Sequence, residues 1–205
     1  MYIDGFNLYY GSLQGTAYKW FDIEAACRRL LPRDRIGRIR YFSARIKARP
    51  GSDPQSPMRQ QVYLRALEAL PTISVHLGHF LVTYPRMVLR YPRPGDPRTV
   101  EVIKTEEKGS DVNLATYMVF DACRGDCDAT VLITNDSDLA EPLRLVHDEL
   151  GIRTTVINPQ DPNRRSRTLI ADNYKQLRRP TLAACQLPTE ILDANGRKIH
   201  KPAAW

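Results

Sequence analysis

Four aspartates in three short motifs are the residues best equipped to do chemistry. Asp4 stands in Ile3-Asp4-Gly5-Phe6-Asn7, Asp111 follows Gly109-Ser110, and Asp136 and Asp138 share the run Thr134-Asn135-Asp136-Ser137-Asp138. Carboxylates brought together repel one another unless a cation holds them. All-oxygen ligation selects hard ions, chiefly Mg²⁺ or Mn²⁺. Each motif also has a plain structural use. An Asp after a strand often caps the next helix, and Asp111 would suit the dipole of the helix it opens. The signal lies in their combination.

Whether these groups meet depends on the elements that carry them. Ala129-Thr130-Val131-Leu132-Ile133-Thr134 is continuous and β-branched, so it reads as a buried strand with Asn135 and Asp136 at its carboxyl end. Tyr2-Ile3 is the stub of another strand, ending at Asp4. Further strands are expected over 36–46, 73–82, 87–91, 99–103 and 153–157. Helices are expected from Asp22 to Leu31, from Ser56 to Leu70, over 111–123 and from about Leu139 to Leu150. Strands separated by helices imply an α/β chain with a mainly parallel sheet covered on both faces. In such sheets ligands bind at the carboxyl ends of the strands. If the first strand neighbours that at 129–134, Asp4 and Asp136 share one rim. The main domain is expected over 1–178. An irregular C-terminal extension over 179–205 follows, with Asn195-Gly196 as a hairpin turn.

Charge is unevenly spread. The net charge is +7, yet residues 28–49 carry nine basic side chains against the single acid Asp34. Residues 101–149 carry twelve acids against four bases. A basic chain with one concentrated acidic stretch suggests a polyanionic partner and a separate reason to gather carboxylates. No apolar run approaches the ~18 residues of a membrane span. Four scattered cysteines, with Cys27 and Cys123 on apolar helix positions, read as reduced thiols of a soluble, cytoplasmic protein. His76, His79, His147 and His200 match no ligand pattern, and Tyr9 and Tyr10 read as core side chains, with base stacking as the alternative. No Gly-x-x-x-x-Gly-Lys or Gly-x-Gly-x-x-Gly loop exists to hold a nucleotide, and no Gly-x-Ser-x-Gly turn to support a serine nucleophile.

Ile3-Asp4-Gly5-Phe6-Asn7-Leu8-Tyr9-Tyr10-Gly11 resembles the opening motif of the NYN domain family, in its LabA-like branch. Glu107-Lys108-Gly109-Ser110-Asp111-Val112-Asn113 and Val131-Leu132-Ile133-Thr134-Asn135-Asp136-Ser137-Asp138 are similar to its second and third motifs. The resemblance implies a three-layer α/β/α PIN-like fold and a metal-dependent nuclease acting on RNA. It implies an acidic site of Asp4, Asp111, Asp136 and Asp138 as metal ligands for Mg²⁺ or Mn²⁺, with Asn7 beside them. Substrate contacts are expected from Lys108 and Ser137 and from the basic residues Arg38, Arg40, Arg45 and Arg49. Arg164-Arg165-x-Arg167 offers a second basic rim. The rival is a PIN-like module that binds RNA or protein with little catalysis. Self-association stays open.

Overall fold

The computed structural model describes residues 1–48 and 53–205. In chain order the elements are β1 (Tyr2–Asp4), α1 (Gly5–Leu8), α2 (Ile23–Leu30), β2 (Ile39–Ala44), α3 (Ser56–Glu68), β3 (Ile73–Thr83), β4 (Arg86–Val88), β5 (Thr99–Glu101) and β6 (Lys104–Lys108). Then come α4 (Ser110–Cys123), β7 (Ala129–Ile133), α5 (Ala140–Arg144), β8 (Arg153–Asn158), β9 (Asn173–Gln176), α6 (Arg179–Ala184), β10 (Glu190–Leu192) and β11 (Lys198–His200). Seven strands form one sheet in the order β6-β3-β2-β1-β7-β8-β9. Every pairing in it is parallel except β3 with β6.

Period-two alternation builds the three layers. Ile3, Tyr41, Val131 and Ile133 join a core with residues of α2, α3 and α6, including Cys27, Leu67 and Leu182. Tyr2, Phe42, Leu132 and Val156 point the other way, onto Leu114 and Met118 of α4 and Leu143 of α5. The expected three-layer α/β/α sheet is therefore present. β1 pairs with β2 on one side and β7 on the other, with Ile3 opposite both Tyr41 and Ile133. The chain moves outward from β1 through β2 to β3 and later from β7 through β8 to β9. The two halves diverge between β1 and β7, and their carboxyl ends flank the crevice of the switch point.

Several local expectations differ from the structure. β6 is a charged edge strand with no apolar alternation, paired from His79–Lys108 to Thr83–Lys104. Backbone pairing to the long β3 decides it, not side-chain burial. The helix expected to Leu150 is split into a 3₁₀ turn at Ser137–Leu139, α5, and a π-helical turn at Leu145–Glu149. Residues 179–205, expected to be irregular, carry α6, β10 and β11 and pack on the first core. Leu182, Leu187 and Ile199 sit in the first core, and Trp205 packs on Trp20 and Tyr63. The Asn195-Gly196 hairpin is formed, with Gly196 at φ +74°. Cys27 is buried as expected, but Cys123 at the end of α4 is exposed. Among the described residues, no helix is long and apolar enough to cross a membrane.

Candidate metal centre

Three of the four aspartates converge at the carboxyl ends of β1 and β7. One oxygen from each of Asp4, Asp111 and Asp136 lies within 4.8 Å of the other two. Asp4 ends β1 and caps α1. Its Oδ1 accepts the Asn7 N–H at 2.9 Å, and its Oδ2 accepts the Thr134 hydroxyl at 2.9 Å. An ionised carboxylate has about four lone-pair sites, so each oxygen retains capacity for a further partner. Asp136 is half-buried and caps the 3₁₀ turn, its Oδ1 accepting the Asp138 N–H at 3.0 Å.

Asp111 arrives from the other side on the first turn of α4, and two glycines allow it. Gly109 takes φ +99°, a left-handed conformation that L side chains resist. Gly78 of β3 lies so close to the entry of α4 that a Cβ there would strike the Lys108 carbonyl and the Glu107 carboxylate. Glu107 Oε1 accepts the Ser110 N–H at 3.1 Å and its hydroxyl at 2.7 Å, fixing that first turn.

The remaining sequence-expected residues fall in different places. Asp138 is exposed and outside the three-carboxylate group, although its charge helps raise the Asp111 pKa. Asn7 is beside the group as a brace: its Oδ1 accepts the Asn135 N–H at 3.0 Å and Gln160 Nε2 at 3.3 Å. Lys108 is exposed, immediately before Gly109, and Ser137 is exposed between the two aspartates. Arg45 is exposed just past the carboxyl end of β2.

Arg38 and Arg40 are at the opposite rim. Arg40 sits in register with Tyr2, at the amino end of β1, and its guanidinium is committed to Asp121 at 2.7 and 2.8 Å and to the face of Tyr117 at 4.4 Å. Arg38 reaches Asp126 at 3.4 Å and Asp121 at 3.7 Å. These two, expected as substrate contacts, therefore stand at the rim away from the carboxylates. A run that is contiguous in sequence is divided between both ends of one strand. Arg49 lies outside the described residues.

Sequence reasoning quoted Thr134 and Asn135 within a motif but gave no role to them or to Gln160. A Thr closing an otherwise apolar strand was the available signal for the first. Asn135 Nδ2 donates to the Arg164 carbonyl and its Oδ1 accepts the Ser166 N–H, both at 2.8 Å. This ties the exposed Arg164-Arg165-x-Arg167 loop to the strand end that carries Asp136.

Burial pushes the Asp4 carboxyl up to about 6, with repulsion from Asp111 and Asp136 adding to it and the two hydrogen bonds opposing it. Asp111 is also raised, first by burial and then by Asp136, Glu107 and Asp138. A group of hard oxygen donors under mutual repulsion fits a divalent cation such as Mg²⁺ or Mn²⁺. With no cation, the sign of the pH dependence follows. A carboxyl raised from 3.8 to about 6 contributes stability that is fully present below 3.8 and gone once the pH passes about 6. The unfolding free energy of the metal-free protein, minus that of Asp4→Asn, is expected to fall by roughly 2 kcal/mol between pH 4 and 7. Denaturant titrations at each pH in chelator would check this. Parallel curves would mean that Asp4 is not held in a charge-poor, crowded setting.

The NYN domain family matches residues 1–174. The 6-hydroxy-3-succinoylpyridine 3-monooxygenase HspA of Pseudomonas putida (strain DSM 28022 / S16) is 33% identical over 235 residues, covering 100% of this chain and 74% of that protein. Among solved structures, a protein of unknown function from Vibrio parahaemolyticus RIMD 2210633 is similar at 19% identity and a TM-score of 0.49, over 86% of this chain and 90% of that one.

Proposed function

The chain belongs to the NYN domain family, and from that membership and the carboxylate geometry we propose that it is a metal-dependent ribonuclease. Asp4, Asp111 and Asp136 would hold Mg²⁺ or Mn²⁺, and the convergence of their oxygens within 4.8 Å is the observation that carries this reading. Bound there, such an ion supplies an activated water and charge stabilisation at a phosphoryl group.

The chain's own residues do the rest. Thr134 and the Asn7 N–H hold both oxygens of Asp4, so its rotamer is set before substrate arrives. Asn7, Asn135 and Gln160 brace the loops after β1, β7 and β8 into one rim. Asp138, exposed beside Asp136, would take a proton from the attacking water. In-line attack would form a bond from water oxygen to phosphorus and break the bond to the 3′ oxygen, leaving 5′-phosphate and 3′-hydroxyl ends. An RNA substrate and free cysteines accord with a cytoplasmic setting.

The phosphate path is supported by charge on this rim and not on the opposite one. Arg164 and Arg167 are exposed on the loop that Asn135 anchors. Changing both to Gln is expected to lower the log–log salt slope of RNA binding by roughly 0.7 per lost contact. Arg38→Gln, at the far rim, should leave the slope unchanged. Fluorescence anisotropy across a salt series would read both, and an unaltered slope in the double variant would remove this loop from the path.

The three convergent carboxylates are all present, which supports chemistry over a binding module with this fold. The match to HspA, over 100% of this chain and 74% of that protein, supports a second reading, hydroxylation of a substituted pyridine at the same rim. The donor group is all carboxylate and contains no His, which suits phosphoryl chemistry better than a two-His, one-carboxylate oxygenase site. The deciding experiment assays metal-dependent cleavage of single-stranded and structured RNA and DNA, beside turnover of 6-hydroxy-3-succinoylpyridine. Pyridine turnover with no cleavage of any nucleic acid would overturn the nuclease.

A further inference from the structure

One group of side chains beside the carboxylates is not used by the reading above. Phe6 and Tyr10 lie four residues apart on the helical turns that follow Asp4, so they share a face. Their rings are nearly parallel, 17° apart, with centroids 6.3 Å from each other. Phe80 of β3 meets Phe6 edge-on at 5.9 Å, and Tyr9 meets Tyr10 edge-on at 5.3 Å. Tyr9 is partly buried against the core, as its sequence position suggested, whereas Tyr10 is 61% exposed.

Position gives this exposure meaning. Phe6 is two residues past Asp4, and Phe80 is in register with Glu107, whose carboxylate fixes the residue before Asp111. The aromatic group thus spans from the Asp4 side of the metal centre to the Asp111 side. The basic loop of Arg164 and Arg167 is tied to the opposite flank, past Asp136. Backbone geometry adds a second, independent sign. Tyr9–Leu13 is a π-helical turn, a rare form that is frequent at functional sites. Gly11 within it packs where a Cβ would strike the Pro159 carbonyl at 2.9 Å, so the turn is locked to the loop after β8. Tyr10 is therefore held on a rigid mount with a ring open to solvent.

We propose that Tyr10, backed by Phe6 and Phe80, is a stacking platform for a planar nitrogen heterocycle next to the reacting bond. The shared chemistry is a flat heteroaromatic ring lying on an aromatic face. The identity of the ring rests on the nuclease reading, under which it is a nucleobase of the strand whose phosphates meet the basic loop. Under the second reading it is the free pyridine.

The test measures binding, so it does not depend on turnover. A fluorescently labelled oligoribonucleotide, and a set carrying one abasic site at each position, are titrated in Ca²⁺ against wild type, Tyr10→Phe and Tyr10→Ala. 6-Hydroxy-3-succinoylpyridine is titrated in parallel. Tyr10→Ala is expected to weaken the intact strand roughly 5- to 100-fold, the usual worth of one stacked base. Tyr10→Phe should bind as wild type does. At one position the abasic strand should bind wild type and Tyr10→Ala equally, which locates the stacked base. If Tyr10→Ala loses affinity for the pyridine but not for the strand, the platform stands and the nuclease reading falls. Equal binding of both ligands by wild type and Tyr10→Ala overturns the platform and leaves the nuclease reading intact. Failure of wild type to bind either ring also overturns the platform.

Discussion

Asp136→Asn is expected to remove divalent-dependent cleavage while the protein stays folded. The two halves of this statement rest on different atoms. Asn keeps an Oδ1 acceptor, so the Asp138 N–H retains its partner and the 3₁₀ turn keeps its cap. The side chain is half-buried at the rim, and none of the apolar packing of β7 involves it. What is lost is one negative charge out of the three that converge within 4.8 Å. Loss of a metal ligand costs several kcal/mol of transition-state stabilisation, which is roughly a 10²- to 10⁴-fold fall in rate. The protein should also lose most of its rise in melting temperature with millimolar Mn²⁺, since a ligand stabilises only as far as it binds the native state. Rate on labelled RNA, circular dichroism and thermal melts with and without Mn²⁺ are the readouts. A folded Asp136→Asn protein that cleaves at the wild-type rate would show that the carboxylates are not the reactive centre.

Much of that centre was legible in the sequence because two general rules sufficed. A continuous β-branched run identifies β7 as buried, and ligand sites in parallel sheets lie past the carboxyl ends of strands. Asp4 and Asp136 follow from these rules once β1 and β7 are neighbours, as they are. Asp111 was also legible, through Gly109-Ser110 before an apolar-periodic helix. Asp138 was not separable from Asp136, because a two-residue spacing in a turn does not say which side chain caps and which faces water. The 3₁₀ geometry decides it. β6 was illegible since an edge strand made of Lys-Thr-Glu-Glu-Lys has no burial pattern to read. The basic run over 28–49 is split for a related reason. Charge in sequence is additive, but a strand crosses the whole sheet, so Arg38 and Arg40 fall at one rim and Arg45 at the other.

A signal against the phosphate reading of Arg40 was nonetheless present in α4. Leu114, Met118, Asp121 and Ala122 share its inward stripe, and an Asp on such a stripe needs a cationic partner. The structure supplies Arg40, whose Nε and Nη2 donate to the two Asp121 oxygens at 2.7 and 2.8 Å. The Tyr2 hydroxyl donates to the same carboxylate at 2.8 Å. Burial pushes the Asp121 carboxyl up, but these donors and the guanidinium charge outweigh it and hold the group below the usual carboxylate range. Asp121→Ala would strand a guanidinium whose side chain is 13% exposed, together with a buried phenol. Breaking a buried pair from one side typically costs about 3–5 kcal/mol. That is a large part of the roughly 5–15 kcal/mol of a whole domain. Asp121→Ala is therefore expected to unfold at much lower denaturant, whereas Arg40→Met with Asp121→Leu should recover the ionic part of the loss, because neither charge is then left unpaired and only the Tyr2 hydroxyl lacks its partner. The folded fraction of either protein should keep its metal-dependent activity, since the pair stands at the amino end of β1 and the carboxylates at the other. Urea titrations of the two variants beside wild type decide the matter. If the double variant is as unstable as Asp121→Ala, the pair stabilises the fold through shape and not through charge. If Asp121→Ala is as stable as wild type, Arg40 is free after all to meet phosphate.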